Sequence, residues 1–242
     1  MDRMLPISII LLITNWYAKV FITVKWGNSF SMLHQLFSGV RQGGALSPYL
    51  YAIYVNDALV KICSSNFGCH MYSMLVNIFM FADDIVLLSG SLTDMQNLID
   101  MCSTEFRNLD LKFNVKKSAI IRVGCMYNAV CSNVILDNEP IPWCTKLRYL
   151  GTEFCSGSHC IFDFSSTKAK YYKGVNSIFC KIGSNNNVNV ILSLLQSYCT
   201  PILMYNLDAI SLNKSTVTRL ANTFNRTYFK IFKTFDLKVI LQ

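Results

Sequence analysis

The stretch Met80-Phe-Ala-Asp-Asp-Ile-Val-Leu-Leu88 places two adjacent carboxylates, Asp83 and Asp84, between two apolar runs. Apolar runs bounded by polar residues predict buried strands, and the acidic pair suits the turn between them. Charged groups beside buried strands are costly unless something neutralises them, and carboxylate oxygens favour magnesium or manganese. Because side chains alternate along a strand, we expect one aspartate to be a primary ligand and the other peripheral. The dipeptide alone is equally compatible with a solvent-exposed acidic turn.

The pattern on either side of this stretch predicts a mixed structure. The predicted elements before residue 164 are a helix over 7–20, a hairpin over 20–36, a helix from Ser47 to about Ile62, strands over 74–88, a helix over 93–109, a strand pair over 111–123, a turn or hairpin over 134–142 and a strand over 146–154 ended by Gly151. From Phe164 onward the pattern is helical. Strands with interspersed helices, followed by helices only, indicate an α+β domain and an α-helical appendage. We divide the chain into residues 1–155 and 156–242.

A glycine-rich segment, Gly39-Val-Arg-Gln-Gly-Gly-Ala-Leu-Ser-Pro48, precedes the second helix. Its three glycines favour a backbone that turns sharply or lies against a ligand. Ser47 followed by Pro48 predicts a helix start, with an N-cap serine and proline at the first helical position.

Four segments, taken in their order, resemble the reverse transcriptases of non-LTR (LINE-like) retrotransposons. Gly39–Pro48 resembles the glycine-rich motif of that family, and Phe81–Asp84 resembles its catalytic hairpin. Leu111–Ser118 resembles the motif that follows the catalytic hairpin, and Leu147–Gly151 resembles the primer-grip hairpin. The resemblance covers residues 5–155 closely and the tail loosely through Tyr198–Tyr205.

The resemblance implies a polymerase palm, which is a split βαβ, ferredoxin-like sheet, followed by a thumb-like helical segment. It implies two-metal nucleotidyl transfer with Mg²⁺ or Mn²⁺, with Asp83 and Asp84 as catalytic metal ligands. Lys117 would assist pyrophosphate departure, although an ordinary solvated lysine explains it nearly as well. The residues that would border the incoming nucleotide and template are Gly39, Arg41, Gln42, Gly43 and Gly44, and those that would position the primer end are Tyr149, Leu150 and Gly151. The implied partners are an RNA template, a DNA primer and, in intact members, deoxynucleotides.

One catalytic group of the family has no counterpart in this sequence. The family's first catalytic aspartate lies in an earlier strand, and Asp2 lies only four residues before Pro6, too close for the intervening helix. Because two-metal chemistry needs carboxylates from both strands, we expect an N-terminally truncated chain whose palm lacks its first strand. We expect it to bind Mg²⁺ weakly and not to polymerise DNA alone. The alternative is a catalytically inactive remnant that binds nucleic acid.

The net charge of +8 comes entirely from the C-terminal third. Residues 1–163 carry twelve basic and twelve acidic side chains, whereas the last 79 residues carry two acidic side chains and ten basic ones, which are Lys168, Lys170, Lys173, Lys181, Lys214, Arg219, Arg226, Lys230, Lys233 and Lys238. Such asymmetry favours a polyanionic partner, nucleic acid first and an anionic membrane second, over a merely solvated surface. Aromatic residues between these positions could stack on bases, although helical spacing favours a core role.

Cysteine usage and hydropathy limit the remaining classes. Ten cysteines without a Cys-x-x-Cys pair predict buried, reduced thiols in an intracellular protein. Cys155, His159 and Cys160 lie close together, but no second ligand pair completes a zinc site. Leu5–Ile13 is too short for a membrane span, and polar residues and a proline interrupt Val188–Leu212, so we expect no span.

Overall fold

A computed structural model describes residues 5–182, 187–234 and 236. Groups of short strands lie between single helices up to residue 163 and helices follow, which is the pattern of an α+β chain. In the described ranges the helices are α1 (Ile7–Tyr17), α2 (Ser47–Cys63), α3 (Leu92–Arg107), α4 (Ser165–Ile182), α5 (Val188–Leu194), α6 (Thr200–Met204) and α7 (Lys214–Phe232). None of them combines the length and apolar character that crossing a membrane requires.

The strands are short and form separate sheets of two or three strands. In chain order they are β1 (Phe21–Ile22), β2 (Lys25–Trp26), β3 (Ser29–Phe30), β4 (His34–Gln35), β5 (Cys69–Met71), β6 (Met74–Val76), β7 (Ile78–Phe81), β8 (Asp84–Leu87), β9 (Ile120–Ile121), β10 (Val134–Leu136), β11 (Glu139–Ile141), β12 (Trp143–Cys144), β13 (Lys146–Tyr149), β14 (Thr152–Cys155) and β15 (Ile161–Asp163).

The first of two compact units contains residues 1–113 and 134–137. Its core lies between α2 and α3, whose buried residues are Val55, Ala58, Ile62, Leu98, Cys102 and Phe106. The β7–β8 hairpin packs one face against this core through Ile78, Met80, Ile85 and Leu87. The helical periodicity predicted for residues 93–109 is confirmed, because Leu98, Ile99, Cys102 and Phe106 form the buried face of α3.

The segment before α2 contributes little to that core. The described part of α1 has no buried residue. The hairpin predicted around Gly27–Asn28 is confirmed as two short antiparallel ladders, β1 with β4 and β2 with β3. Their strand residues are exposed, so packing alone does little to fix this segment.

The second compact unit contains residues 114–133 and 138–242. Strands β13, β14 and β15 form an antiparallel sheet, and β9 pairs with β12 in parallel. Its helices enclose an apolar cluster whose buried members are Tyr171, Val175, Ile191, Leu195, Cys199, Leu203 and Leu220. Inside it the Tyr171 hydroxyl donates a hydrogen bond of 3.0 Å to Oγ1 of Thr227, which links α4 to α7.

Two sequence predictions were wrong. Of the strand pair expected over 111–123, only the second strand is present, as the two-residue strand β9, and a 3₁₀ turn, Val115–Lys117, precedes it. The Asn114 carbonyl accepts hydrogen bonds from the amides of Lys117 and Ser118, which closes this turn between the two expected strand positions. The thiols are also less buried than predicted, since only Cys102 and Cys199 of the ten free cysteines are fully buried.

Candidate active site

The two aspartates lie at the tip of the β7–β8 hairpin. Phe81 pairs with Asp84, so the turn consists of Ala82 and Asp83 alone. The prediction that both aspartates occupy the turn is therefore half wrong, because Asp84 is the first residue of β8. Ala82 has φ +53°, the left-handed region that residues with a Cβ rarely adopt. A tight turn with local backbone strain thus presents the acidic pair.

The two faces of this hairpin differ in burial. The face opposite the buried one carries Phe79, 51% exposed, and Phe81, 63% exposed. The ladder places Asp84 on this open face, because cross-strand partners share a face and Asp84 pairs with Phe81. Asp83 and Asp84 are both exposed, and within the described residues neither carboxylate accepts a hydrogen bond or forms an ion pair. Both are accessible to an external cation.

Tyr51 belongs to this site, and the sequence analysis did not identify it. It lies on α2 and packs against the same apolar cluster as Met80 and Ile85, the residues that flank the turn. Burial, and then the negative charge of the nearby Asp83, raise the pKa of the Tyr51 hydroxyl above its usual value. In the sequence Tyr51 is only a tyrosine one helical turn after Ser47, and no pattern around it indicates that it lies near Asp83.

The glycine-rich segment folds back on the start of α2. The Ser47 hydroxyl donates a hydrogen bond to the carbonyl oxygen of Arg41 instead of capping the helix, and the Gly44 amide donates to the same oxygen across 3.1 Å. A Cβ on Gly44 would lie 2.7 Å from Oγ of Ser47, so this close approach requires glycine. Leu46 occupies the N-cap position, so Ser47 and Pro48 are the first and second helical residues, one position later than predicted. The side chains of Arg41 and Gln42 are left exposed.

No cluster of three or more histidine, cysteine or acidic residues within the described ranges could hold a metal ion. The Asp83–Asp84 pair therefore has no third protein ligand among those residues. The same finding covers Cys155, His159 and Cys160, which are not brought together as a three-ligand set.

Lys117 and the primer-grip segment lie in the second compact unit. Lys117 ends the 3₁₀ turn and is exposed, as is Lys116. Leu150 and Gly151 form the two-residue turn of the β13–β14 hairpin, with Tyr149 paired to Thr152. Their φ angles are +44° and +83°, so both adopt the left-handed conformation of the tightest hairpin turns. The sequence pattern predicted a strand ended by Gly151, and the strand that returns after it, β14, completes the hairpin that the family resemblance implies.

The basic side chains of the second unit lie mainly on α4 and α7. Arg219, Arg226 and Lys230 are exposed on α7, and Lys173 is exposed on α4. The Lys230 ammonium lies 4.5 Å from the centre of the Phe179 ring. The aromatic residues of α7 are divided between roles, because Phe224 packs against the apolar cluster whereas Phe232 is 41% exposed.

Comparisons with known proteins agree with the motif order. Residues 4–154 match the family described as "Reverse transcriptase (RNA-dependent DNA polymerase)". The chain is 30% identical over 138 residues, 57% of its length, to the Drosophila melanogaster "Retrovirus-related Pol polyprotein from type-2 retrotransposable element R2DM". It is 27% identical over 202 residues, 79% of its length, to the Popillia japonica "Retrovirus-related Pol polyprotein from type-1 retrotransposable element R2". The matched stretches span 12% and 27% of those relatives' own lengths.

Proposed function

This chain belongs to the reverse transcriptase (RNA-dependent DNA polymerase) family, in its non-LTR retrotransposon branch, and we propose that it supplies part of the polymerase palm of such an enzyme. The proposed reaction is RNA-directed DNA synthesis, in which a primer 3′-hydroxyl attacks a deoxynucleotide and pyrophosphate leaves. The division into a partial palm over residues 1–155 and a basic thumb-like segment over 156–242 stays a prediction.

One observation carries the proposal: two adjacent, exposed carboxylates at the tip of a hairpin whose other face is buried against α2 and α3. Burial of one face fixes the hairpin, and the tight turn then holds both side chains at a defined place on the surface. Local strain at such a turn, here at Ala82, is common at functional sites. A solvent-exposed acidic turn with no function would not require this anchoring.

Asp83 and Asp84 fit a hard divalent cation in the chemistry of their oxygens but supply only two of the ligands that a protein site usually offers. Bound Mg²⁺ or Mn²⁺ would activate the attacking hydroxyl and neutralise charge on the leaving group. The chain's own contribution is to present the carboxylates on a hairpin that packs against the same apolar cluster as Tyr51 of α2. With two ligands we expect weak binding.

The other proposed roles follow from matched motif positions. The exposed side chains of Arg41 and Gln42, with Gly39, Gly43 and Gly44, would border the nucleotide and template. At Gly39 and Gly43 no atom lies within 4 Å of where a Cβ would be, which leaves room there for bases and sugars. Lys117 would donate a proton to the leaving pyrophosphate or stabilise its negative charge, and its exposure is compatible with that role. The Tyr149–Gly151 turn would contact the primer end.

A second candidate function is nucleic-acid binding without chemistry. Two observations favour this second function. The described residues supply no third metal ligand beside Asp83 and Asp84, and basic side chains of α4 and α7 are exposed. Phosphate contacts of this kind position a duplex without reading its sequence. The two candidates differ in where the primer 3′ end lies, because only a palm would bring that end to the aspartate hairpin.

Photocross-linking of the full chain to an RNA–DNA primer–template tests this difference. The probe is a 4-thiothymidine at the primer 3′ terminus, and the control duplex carries it at the primer 5′ end. We expect the 3′ probe, and not the 5′ probe, to cross-link to peptides containing residues 78–87. Cross-links of both probes confined to α4 and α7 would overturn the palm assignment and support binding without chemistry.

A further inference from the structure

We infer that Tyr205 and Asn206, which follow α6, are positioning residues that hold the Leu150–Gly151 turn in the conformation that meets the primer end, an inference that rests on the proposed function. Neither residue belongs to the motif that carries the primer-grip resemblance. They lie 55 and 56 residues beyond Leu150, so the contact is non-local.

Both side chains donate to one backbone oxygen at the turn. The Tyr205 hydroxyl and the Asn206 amide each donate a hydrogen bond of 3.2 Å to the carbonyl oxygen of Leu150. The same Asn206 nitrogen donates across 3.1 Å to Oγ1 of Thr152, the first residue after the turn. The two side chains therefore hold the turn at its first residue and at its exit.

The Tyr205 ring also covers the second residue of the turn. A Cβ placed on Gly151 would lie 2.8 Å from Cε1 of Tyr205, closer than side-chain carbons approach. Two constraints therefore favour glycine at position 151, which are its φ of +83° and the Tyr205 ring that lies against it. Because Leu150 holds a left-handed conformation that is unfavourable for residues with a Cβ, contacts from outside the hairpin help to keep it there.

The residues that brace the turn are themselves anchored. They follow α6 directly, and Leu203 of that helix is buried among α4, α5 and α7 residues such as Tyr171 and Leu220. Asn206 adopts φ +60°, which aims its short side chain back toward the turn and which asparagine tolerates better than most residues. The helical cluster consequently determines where the turn lies.

A matched set of variants separates the contacts. Tyr205→Phe keeps the ring over Gly151 and removes one donor. Asn206→Asp keeps the shape and the left-handed tolerance, but it places a carboxylate oxygen, which repels, against the Leu150 carbonyl and ends the donation to Thr152. Tyr198→Phe, at an exposed position of the helical segment, and Asn138→Asp, at an exposed residue that also has a left-handed φ, make the same changes and serve as controls. All variants are made in the full chain.

The first measurement is amide hydrogen exchange of the free protein. Loss of two or three hydrogen bonds to the turn should make residues 149–152 exchange about tenfold faster in the Tyr205→Phe, Asn206→Asp double variant. Peptides of α4 and α7 should exchange as in the wild type, which shows that the helical cluster is intact. Unchanged exchange at the turn would overturn the inference, whether or not the protein binds nucleic acid.

The second measurement reports on the primer itself. The probe is a primer–template with 2-aminopurine at the primer 3′ terminus, and overall affinity is followed separately by fluorescence anisotropy. We expect wild-type protein to change the 2-aminopurine signal, and the double variant to lose at least half of that change while its affinity stays within about twofold. A merely structural contact would leave the signal intact, and that result overturns the positioning role. If wild type itself gives no signal, the primer-grip assignment fails and the inference fails with it.

Discussion

The side-chain amide of Asn77 donates a hydrogen bond of 2.9 Å to the carbonyl oxygen of Ile62, in the last turn of α2. Its nitrogen also lies 3.3 Å from Oγ of Ser65, and Asn77 is 3% exposed. Asn77 immediately precedes β7, while its own carbonyl accepts from the Leu88 amide after β8. One buried amide therefore ties the base of the aspartate hairpin to the helix that begins at the glycine-rich segment.

Replacing Asn77 by alanine should destabilise the first unit. The substitution removes one donor from the Ile62 carbonyl, which still accepts from the Ser65 amide across 3.1 Å, so we expect a loss of about 0.5–1.5 kcal/mol, the usual net worth of one hydrogen bond. The free energy of unfolding by urea measures the loss, and Asn56→Ala, on the exposed side of α2, is the control. Equal stability of the two variants would contradict this account of Asn77.

Divalent-metal binding should depend on the aspartate pair and be weak. Two carboxylates without a third ligand among the described residues predict a Kd of about 1 mM or higher for Mn²⁺. The protein is titrated with Mn²⁺, and electron paramagnetic resonance measures the concentration of free Mn²⁺ at each step. Asp83→Asn should abolish the binding, and Asp110→Asn, at an exposed residue with a left-handed φ that asparagine tolerates, should leave it unchanged. Micromolar binding that survives Asp83→Asn would place the metal elsewhere.

The chain as it stands should not extend a primer. Two-metal transfer requires more carboxylate ligands than Asp83 and Asp84 supply, and the described residues bring no third ligand to them. A primer-extension assay on an RNA template, with Mg²⁺ and Mn²⁺ in separate reactions and an active reverse transcriptase as positive control, measures this. Template-directed extension by the chain that disappears with Asp83→Asn would refute the expectation.

Acid should weaken the second unit through Asp163. Its carboxylate accepts hydrogen bonds from Lys146, across 2.6 Å, and from the hydroxyl and amide of Ser165 at the start of α4. These bonds, the Lys146 bond first, hold the pKa of Asp163 well below its usual value. A depressed carboxyl pKa contributes stability that is present above the unfolded-state pKa of about 3.9 and is lost as the pH falls toward the folded-state pKa.

Asp163→Asn should therefore lower the free energy of unfolding at pH 6, and the difference from wild type should shrink as the pH falls below about 4. Urea unfolding at a series of pH values measures it, with Glu139→Gln, at an exposed position of the same unit, as the control. A difference that is constant from pH 6 to pH 2.5 would mean that the ionised carboxylate contributes nothing. Because the Lys146 side chain is 60% exposed, whereas that of Asp163 is 22% exposed, added salt should reduce the effect only in part.

Local patterns in the sequence predicted the elements whose structure is decided locally. The buried face of α3 follows from apolar residues at helical spacing, such as Leu98 and Cys102, because one stripe must be buried. The β2–β3 turn follows from Gly27–Asn28, since glycine accepts the positive φ that this turn requires. The aspartate hairpin was found for the same reason, with an error of one residue at Asp84.

Contacts between residues distant in the chain could not be read from pattern. Such contacts depend on how helices and strands pack, which the periodicity of the sequence does not encode. Examples are the proximity of Tyr51 to Asp83, the hydrogen bond from Asn77 to Ile62 and the ring of Tyr205 against Gly151. The wrong strand over 111–123 has the same origin. Its apolar residues, such as Phe113 and Leu111, alternate as in a strand, yet they pack against the α2–α3 core from an irregular segment. Tertiary packing overrode the local preference there.

Nucleic-acid affinity should show the salt dependence of phosphate contacts made by α7. Each phosphate that a basic side chain neutralises releases counterions, so the logarithm of the binding constant falls by about 0.9 per contact for each unit of log salt concentration. Arg226 is exposed on α7, in the third of the chain that carries all of the net charge. Arg226→Gln should thus reduce the slope by about 1 and weaken binding similarly for all sequences.

The slope is measured by fluorescence anisotropy of a labelled RNA–DNA duplex. The salt concentration is varied from about 50 to about 200 mM, the range over which phosphate contacts change affinity most. Lys19→Gln removes the same charge from an exposed position in the first unit and should leave the slope unaltered. Equal slopes for Arg226→Gln and wild type would show that this face of α7 does not meet phosphate. If Lys19→Gln lowered the slope as much as Arg226→Gln, net charge alone would account for the affinity, and the basic helices would have no specific role in holding the duplex.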